Sequence, residues 1–177
     1  ILFIYAAKKI LATDEAGLKK YNRIIILVYI VFQAIILSMD TLNFSDGAEI
    51  ENEAHYMLNY GKFSGERYFL VYPNNITPTI ILYWIYRIAA FLHISEVWML
   101  HIFCFLVTTA TIFLTYKTAG KLLTKQKQTI ILGLMILYIP FQMYSLFYYS
   151  DTLMVIMVAL IIYVLIPSDG SFIFKTK

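Results

Sequence analysis

Five apolar runs limit what this chain can fold into: Ile24–Met39, Ile76–Leu92, Val97–Tyr116, Thr129–Tyr149 and Thr152–Ile166. A helix that crosses a bilayer needs ~20 apolar residues, with a working range of about 17–25. The third and fourth runs meet that requirement. The first and last are short unless flanking residues such as Tyr21, Thr41 and Pro167 join them. The second is long enough, but it opens with Asn75, Thr77, Pro78 and Thr79. It also holds Tyr83, Trp84, Tyr86 and Arg87, residues suited to the membrane–water interface. Composition agrees: 60% of residues are hydrophobic and 14% charged, where a soluble domain carries about 25% charged. No soluble core of 177 residues hides that much apolar surface, so lipid is expected to cover it.

The position of charge decides how the runs cross. Lysine and arginine collect in cytoplasmic loops. If Ile76–Leu92 lies on the outer surface, then 8–23, 117–128 and 168–177 all face the cytoplasm, with eleven of the fourteen basic residues. Only Lys62, Arg67 and Arg87 stay outside. If that run spans, the outer side carries eight basic residues instead. The first arrangement is the expected one. It makes the chain an all-α, polytopic transmembrane helix bundle with four spans, forming one membrane domain over 1–177. An outer segment from Asp40 to Glu96 holds juxtamembrane amphipathic helices. The net charge of +3 is too small to point to nucleic acid, and the single cysteine, Cys104, excludes a disulfide framework or a cysteine metal site within the chain. Ile1–Ala7 reads as the tail of an earlier span, and Ser168-Asp169-Gly170 follows a span directly, so both ends are expected to be truncations.

Chemistry is expected in the outer segment, which holds seven of the eleven acids. From Asp46 to Tyr60 the pattern is helical. Asp46, Glu49, Glu53, Tyr56 and Tyr60 recur at spacings of three and four and share a face. Ile50, Ala54 and Met57 form a neighbouring apolar stripe, expected to lie down on the membrane, and Gly61 is a natural stop. Phe69–Tyr72 reads as a short extended piece, and Tyr72-Pro73-Asn74-Asn75 as a turn.

Asp46 is a candidate general base for an acceptor hydroxyl, or a metal ligand. It also reads as a helix cap, since Asp46-Gly47-Ala48-Glu49 has the D-x-x-E form. Asp40 is the rival carboxylate. Asp151 falls between two apolar runs on the expected outer side, which marks it as functional, or as a cap, with Ser150, for a helix starting at Thr152. Arg67 and Arg87 flank the turn with guanidinium groups suited to a phosphate headgroup, to ordinary anionic lipid or to Glu66. His55, His93 and His101 lack the H-x-x-x-H and H-E-x-x-H spacings of histidine metal sites, though His55 lies on the outer helix and is a candidate to help a catalytic carboxylate. Asn43-Phe44-Ser45 and Asn75-Ile76-Thr77 match the glycosylation acceptor pattern. No glycine-rich nucleotide loop or G-x-S-x-G elbow is present.

The order of these features resembles the start of the GT-C superfamily of polytopic glycosyltransferases. Within it, the chain most resembles the bacterial relatives of protein mannosyltransferases, glycosyltransferase family 39. The resemblance runs from residue 24 to about 166. It rests on Asp46 to Gly61, Tyr72-Pro73-Asn74-Asn75, Ile76–Leu92, Lys117–Lys127, Pro140 and Tyr149-Ser150-Asp151. The family often has Asp-Glu where this chain has Asp46-Gly47, and Pro-Pro where it has Pro73-Asn74-Asn75. The resemblance implies glycosyl transfer from a polyprenyl-phosphate sugar to a hydroxyl on the outer face of a bacterial membrane. It implies that Asp46 activates the acceptor hydroxyl, that Asp151 orients the acceptor or assists Asp46, and that Arg67 or Arg87 steadies the leaving phosphate. Glu49 is the further catalytic candidate, and Tyr72, Asn74, Asn75 and His55 join the two arginines as substrate-binding candidates. No cofactor is required by the resemblance, although a divalent metal is compatible. The acceptor stays open among protein, lipid and cell-wall glycan. A transporter or flippase fragment and a non-catalytic membrane scaffold are the competing readings.

Overall fold

A computed structural model describes residues 2–39 and 45–167. Asp40, the rival carboxylate, Asn43 and Phe44 of the first glycosylation triplet, and the basic residues Lys175 and Lys177 lie outside the described residues. Among the described residues all regular structure is helical: α1 (Leu2–Leu11), α2 (Glu15–Leu37), α3 (Asp46–Tyr60), α4 (Arg67–Val71), α5 (Ile76–Leu92), α6 (Glu96–Leu122), α7 (Lys125–Leu137), α8 (Ile139–Gln142) and α9 (Ser150–Leu165). One 3₁₀ turn, Pro73–Asn75, leads into α5, and another, Met143–Ser145, follows α8. Three segments are long and apolar enough to cross a membrane: Glu15–Leu37, Pro73–Leu92 and Glu96–Leu122. A bent pair, Lys125–Leu137 with Ile139–Ser145, makes a fourth if counted as one span.

The apolar runs mark these helices but not their ends. Helix α2, which holds the first apolar run, begins at Glu15, well before Ile24, because Lys19, Lys20 and Arg23 are good helix formers that carry the helix back into the polar flank. The expected basic loop from 117 to 128 is almost entirely helical. Lys117 and Lys121 lie on α6, and Lys125 and Lys127 lie on α7. The fourth run is not one straight helix, as its length suggested. It bends by 68° between α7 and α8. Pro140 is the cause: it has no N–H to continue the ladder and its ring clashes with the preceding turn. Tyr138 turns out of the helix at φ −78°, ψ 85°. The last helix has 16 residues, which at 1.5 Å each is roughly 24 Å and short of a ~30 Å hydrocarbon core.

Contacts gather the chain into two compact units. The first comprises 1–35, 109–142 and 155–177; the second comprises 36–108 and 143–154. In the first unit, α1 packs on α7. The helices are registered by buried polar contacts: Tyr29 Oη to Thr109 Oγ1 at 2.7 Å, and Gln33 Nε2 donating to Gln142 Oε1 at 2.7 Å. Gln142 Nε2 in turn donates to the carbonyl of Met135, which the α7–α8 break leaves without its helical partner. At one end of this unit, Lys125 pairs with Glu15, and Lys121 Nζ donates to the carbonyls of Tyr163 and Ile166 at 2.7 and 2.8 Å. Lys121 thereby satisfies carbonyls at the end of α9, where a cation also suits the helix dipole. Broad rows of apolar side chains stay exposed, among them Leu27, Ile30, Val31 and Ile35 on α2 and Met157, Ile161 and Val164 on α9.

The second unit is built on α3 lying along α5. Ile50 and Ala54 of α3 are fully buried against Leu82, Ile85 and Tyr86 of α5 and Leu100 and Cys104 of α6. The expected placement of that stripe on the membrane is therefore corrected: helical spacing shows which face is apolar, and here protein covers it. Gly61 ends α3 as expected, in the left-handed region at φ 68°, with its N–H on the Met57 carbonyl. Phe69–Tyr72 is not extended. One helical turn buries Phe69 against Phe63 and brings Tyr68 and Tyr72 to 5.1 Å, so packing overrides the aromatic preference for strand.

Candidate functional site

Asp46 is the first residue of α3. The cap position belongs to Ser45, at φ 53°, and its side chain makes no capping bond. Asp46 therefore does not cap α3 as the D-x-x-E pattern suggested. Its carboxylate turns away from the helix, and Tyr149 Oη donates to Asp46 Oδ2 at 2.8 Å. Tyr68 of α4 is the second phenol at this carboxylate: its hydroxyl interacts with Asp46 and accepts a hydrogen bond from Asn75 Nδ2 at 2.6 Å. Because Asn75 fills an acceptor position on that oxygen, the Tyr68 proton is free to point at Asp46. Four separate pieces of the second unit thus converge: the start of α3, α4, the 3₁₀ turn before α5, and the segment before α9.

Each piece is locally fixed. Asn75 is buried, and its carbonyl accepts from Thr79 Oγ1 at 2.8 Å. Asn74 Nδ2 donates to Asn75 Oδ1 at 3.1 Å, which orients the amide so that its nitrogen faces Tyr68. Tyr149 is held from both sides. The buried Tyr148 hydroxyl donates to the Pro78 carbonyl at 2.8 Å, and Thr152 Oγ1 donates to the Phe147 carbonyl at 3.2 Å. The site therefore rests on anchored backbone, as a preorganised cluster requires.

Both phenols hold their protons more tightly than an ordinary tyrosine. For Tyr149 the first cause is its hydrogen bond to Asp46, followed by burial and by the charges of Asp46 and Asp151. For Tyr68 burial leads, opposed by the Asn75 donation and reinforced by Asp46, and the phenol is pushed up to about 12. Both are therefore donors at neutral pH. The arrangement is a carboxylate with two neutral hydroxyl donors beside it. Such a group can accept a proton from, or hydrogen-bond to, an incoming hydroxyl.

Asp151 is exposed in the first turn of α9, which begins at Ser150 rather than Thr152, so it sits inside the helix instead of capping it. It acts on Tyr149 through its charge. Glu49 is half-buried one turn along α3. Arg67 is exposed beside Tyr68, and Tyr72 ends α4 and leads into the 3₁₀ turn. Arg87 is elsewhere. It stacks over Trp84 at 5.4 Å and donates to Tyr83 Oη at 3.0 Å, roughly 18 Å along α5 from Asn75 at 1.5 Å per residue. His55 is also separate from Asp46. Its ring stacks on Tyr86 at 4.9 Å, between Glu51 at 4.0 Å and Glu96 at 3.8 Å. Glu53, placed by its spacing on the open acidic face, is buried and accepts from the Ser64 N–H at 2.6 Å and from the Ser64 hydroxyl. Among the described residues no group of three or more His, Cys, Asp or Glu is placed to hold a metal ion.

Tyr68 and Tyr149 are the site residues that sequence reasoning did not single out. Fifteen tyrosines occur in the chain, and nothing local separates these two from the rest. The nearest signal was Tyr149-Ser150-Asp151, read for its aspartate. Comparison with protein-family models, with curated proteins and with solved structures finds no match to this chain.

Proposed function

We propose that this chain is part of an integral membrane glycosyltransferase that moves a sugar from a polyprenyl-phosphate donor to a hydroxyl acceptor on the outer face of the membrane. The observation that carries the reading is the convergence of Tyr68, Asn75 and Tyr149 on the carboxylate of Asp46, at the end of a helix that packs along α5. In this reading Asp46 takes the proton of the acceptor hydroxyl as its oxygen attacks the anomeric carbon. The bond from that carbon to the lipid phosphate breaks, and the phosphate leaves with the electron pair. Tyr149 and Tyr68 hold the carboxylate in place, and Asp151 biases Tyr149. Of the two arginines, this reading assigns the departing phosphate to Arg67, the neighbour of Tyr68, because Arg87 lies far along α5.

The membrane placement has its own support. Within the first unit, the end where Glu15, Lys125, Lys121 and Ile166 meet also carries Lys19, Lys20, Arg23 and Lys127, the pattern of a cytoplasmic face. Helix α3 carries Asp46, Glu49, Glu51 and Glu53 along α5, a load of acids unsuited to hydrocarbon, which favours an interfacial position for both helices. A second reading is favoured by the same hydrogen bond: Asp46 and Tyr149 form a structural clasp without chemistry.

Asp46→Asn separates the two readings in the intact protein. Asparagine still accepts the Tyr149 hydrogen bond, so a clasp survives, whereas loss of a general base costs ~10²–10⁴ in rate. Transfer from a radiolabelled polyprenyl-phosphate hexose, measured in membranes, is expected to fall by at least ~10² with folding kept. Undiminished transfer by well-folded Asp46→Asn protein would end the catalytic claim.

A further inference from the structure

The first unit contains a groove that the reaction at Asp46 does not use. It has a volume of about 430 Å³, within the ~300–1,000 Å³ usual for small-molecule sites, and its walls are mainly apolar, with Ile26, Phe113, Leu132 and Ile136 among them. Ile26 and Phe113 stand exposed at its rim. One end is polar. There Asn22 and Tyr116, joined by a 3.3 Å hydrogen bond from Asn22 Nδ2, line both this groove and a second cavity of about 200 Å³ that opens among Glu15, Lys19, Lys125 and Gln128. The two cavities adjoin at those residues, one with a charged lining and the other mainly apolar.

We propose that the two adjoining cavities form one path that binds a single anionic glycerophospholipid, with an acyl chain in the apolar groove and the headgroup at the charged mouth. Charge complementarity selects the occupant. Lys19, Lys117 and Lys125 line the path against a single carboxylate, Glu15, and that carboxylate is already paired with Lys125. Lys117 places its ammonium 5.2 Å from the Phe113 ring centroid, and both residues line the apolar groove. The buried Oδ1 of Asn22 has no hydrogen-bond partner among the described residues and needs a donor. A glycerol headgroup supplies hydroxyl donors for Asn22 and a phosphate for the lysines, while a choline headgroup brings a cation and no donor. The proposal requires only that α2 and α6 lie in a bilayer, and it stands or falls apart from the reaction at Asp46.

The test is native mass spectrometry of the detergent-solubilised chain with added phosphatidylglycerol or phosphatidylcholine of identical acyl chains. One phosphatidylglycerol per chain is expected to stay bound, at least tenfold more tightly than phosphatidylcholine. Lys117→Gln and Lys19→Gln should each weaken it about fivefold, the ~1 kcal/mol that one basic side chain contributes near an anionic headgroup. Ile26→Trp, which fills the groove from its exposed rim, should weaken both lipids. Both lysines are exposed, so these variants should keep wild-type melting. Equal retention of the two lipids, wild-type binding by the lysine variants, or a lipid-free dimer with the groove covered by a second copy would each overturn the proposal.

Discussion

Replacing Glu53 should loosen the second unit by an amount the structure lets one work out. The Glu53 carboxylate is 3% exposed and takes two bonds from one residue, the N–H and the hydroxyl of Ser64. Ser64 Oγ also accepts from the Glu66 N–H at 3.2 Å, so the turn between α3 and α4 hangs on this carboxylate. A hydrogen bond to a charged group contributes about 1.5–3 kcal/mol. Ser64 is half-buried, so the lower bound applies, and Glu53→Ala should cost roughly 3 kcal/mol for the two bonds. Ser64→Ala removes only the hydroxyl bond and should cost about 1.5 kcal/mol. The double variant should then fall short of the sum by about 1.5 kcal/mol, since the hydroxyl bond can be lost only once. The chain carries its own reporter: Cys104, its single cysteine, is fully buried in this unit. A thiol-reactive dye should therefore follow unfolding in detergent. At about 2–4 °C per kcal/mol for a chain of this size, Glu53→Ala should melt about 6–12 °C below wild type. A shift under about 2 °C, or strict additivity with Ser64→Ala, would refute the assignment of Glu53 as the anchor of this turn.

Three further outcomes follow from the same geometry. Gln142→Leu strands the buried Gln33 amide, which should cost about 1–3 kcal/mol in thermal melts, and adding Gln33→Leu should restore part of that loss; a double variant less stable than the sum of the singles would contradict the pairing. Tyr68, raised to about 12 from an unfolded value near 10, binds its proton more tightly in the folded state, so its contribution is fully present below pH 10 and is lost as pH climbs from about 10 to 12. Wild type should lose more stability than Tyr68→Phe across that window, and parallel pH curves would disprove the link. For the membrane orientation, exposed Lys127→Cys should resist an impermeant thiol reagent in intact cells and react after permeabilisation, while labelling before permeabilisation would invert the topology.

Some of this fold is readable residue by residue. The helix Ile76–Leu92 is found with the boundaries the sequence suggested, because Pro73 and Asn75 punctuate its start and the polar pair His93 and Ser95 brackets its exit. Helix α3 ends at Gly61 because only a left-handed residue closes it there. Other features depend on distance along the chain. Asp46 and Tyr149 are 103 residues apart, and no local pattern announces that bond. The break at Pro140 is visible as a proline, but the run around it is apolar enough to read as one span, and its 68° bend is stabilised by the Gln142 side chain folding back onto Met135.

The deeper reason is that apolar periodicity loses resolving power in a chain of this kind. In a soluble protein an apolar stripe has one destination, the core, so Ile50 and Ala54 would be placed with little choice. Here lipid and protein are equally apolar, and the stripe alone does not say which one covers it. Buried polar contacts then carry the tertiary information, because a donor in an apolar setting must find its own partner. Tyr29 with Thr109, Gln33 with Gln142 and Tyr148 with the Pro78 carbonyl are such contacts; the first two each pin two helices at one register, and the third pins the segment before α9 to α5. The candidate site follows the same rule. Tyr149 reaches Asp46 because Tyr148, its neighbour, must satisfy a buried hydroxyl on Pro78, and that obligation sets where the next side chain falls. Tyr148→Phe removes the obligation while keeping the ring, so it should weaken the Tyr149–Asp46 contact without touching either partner.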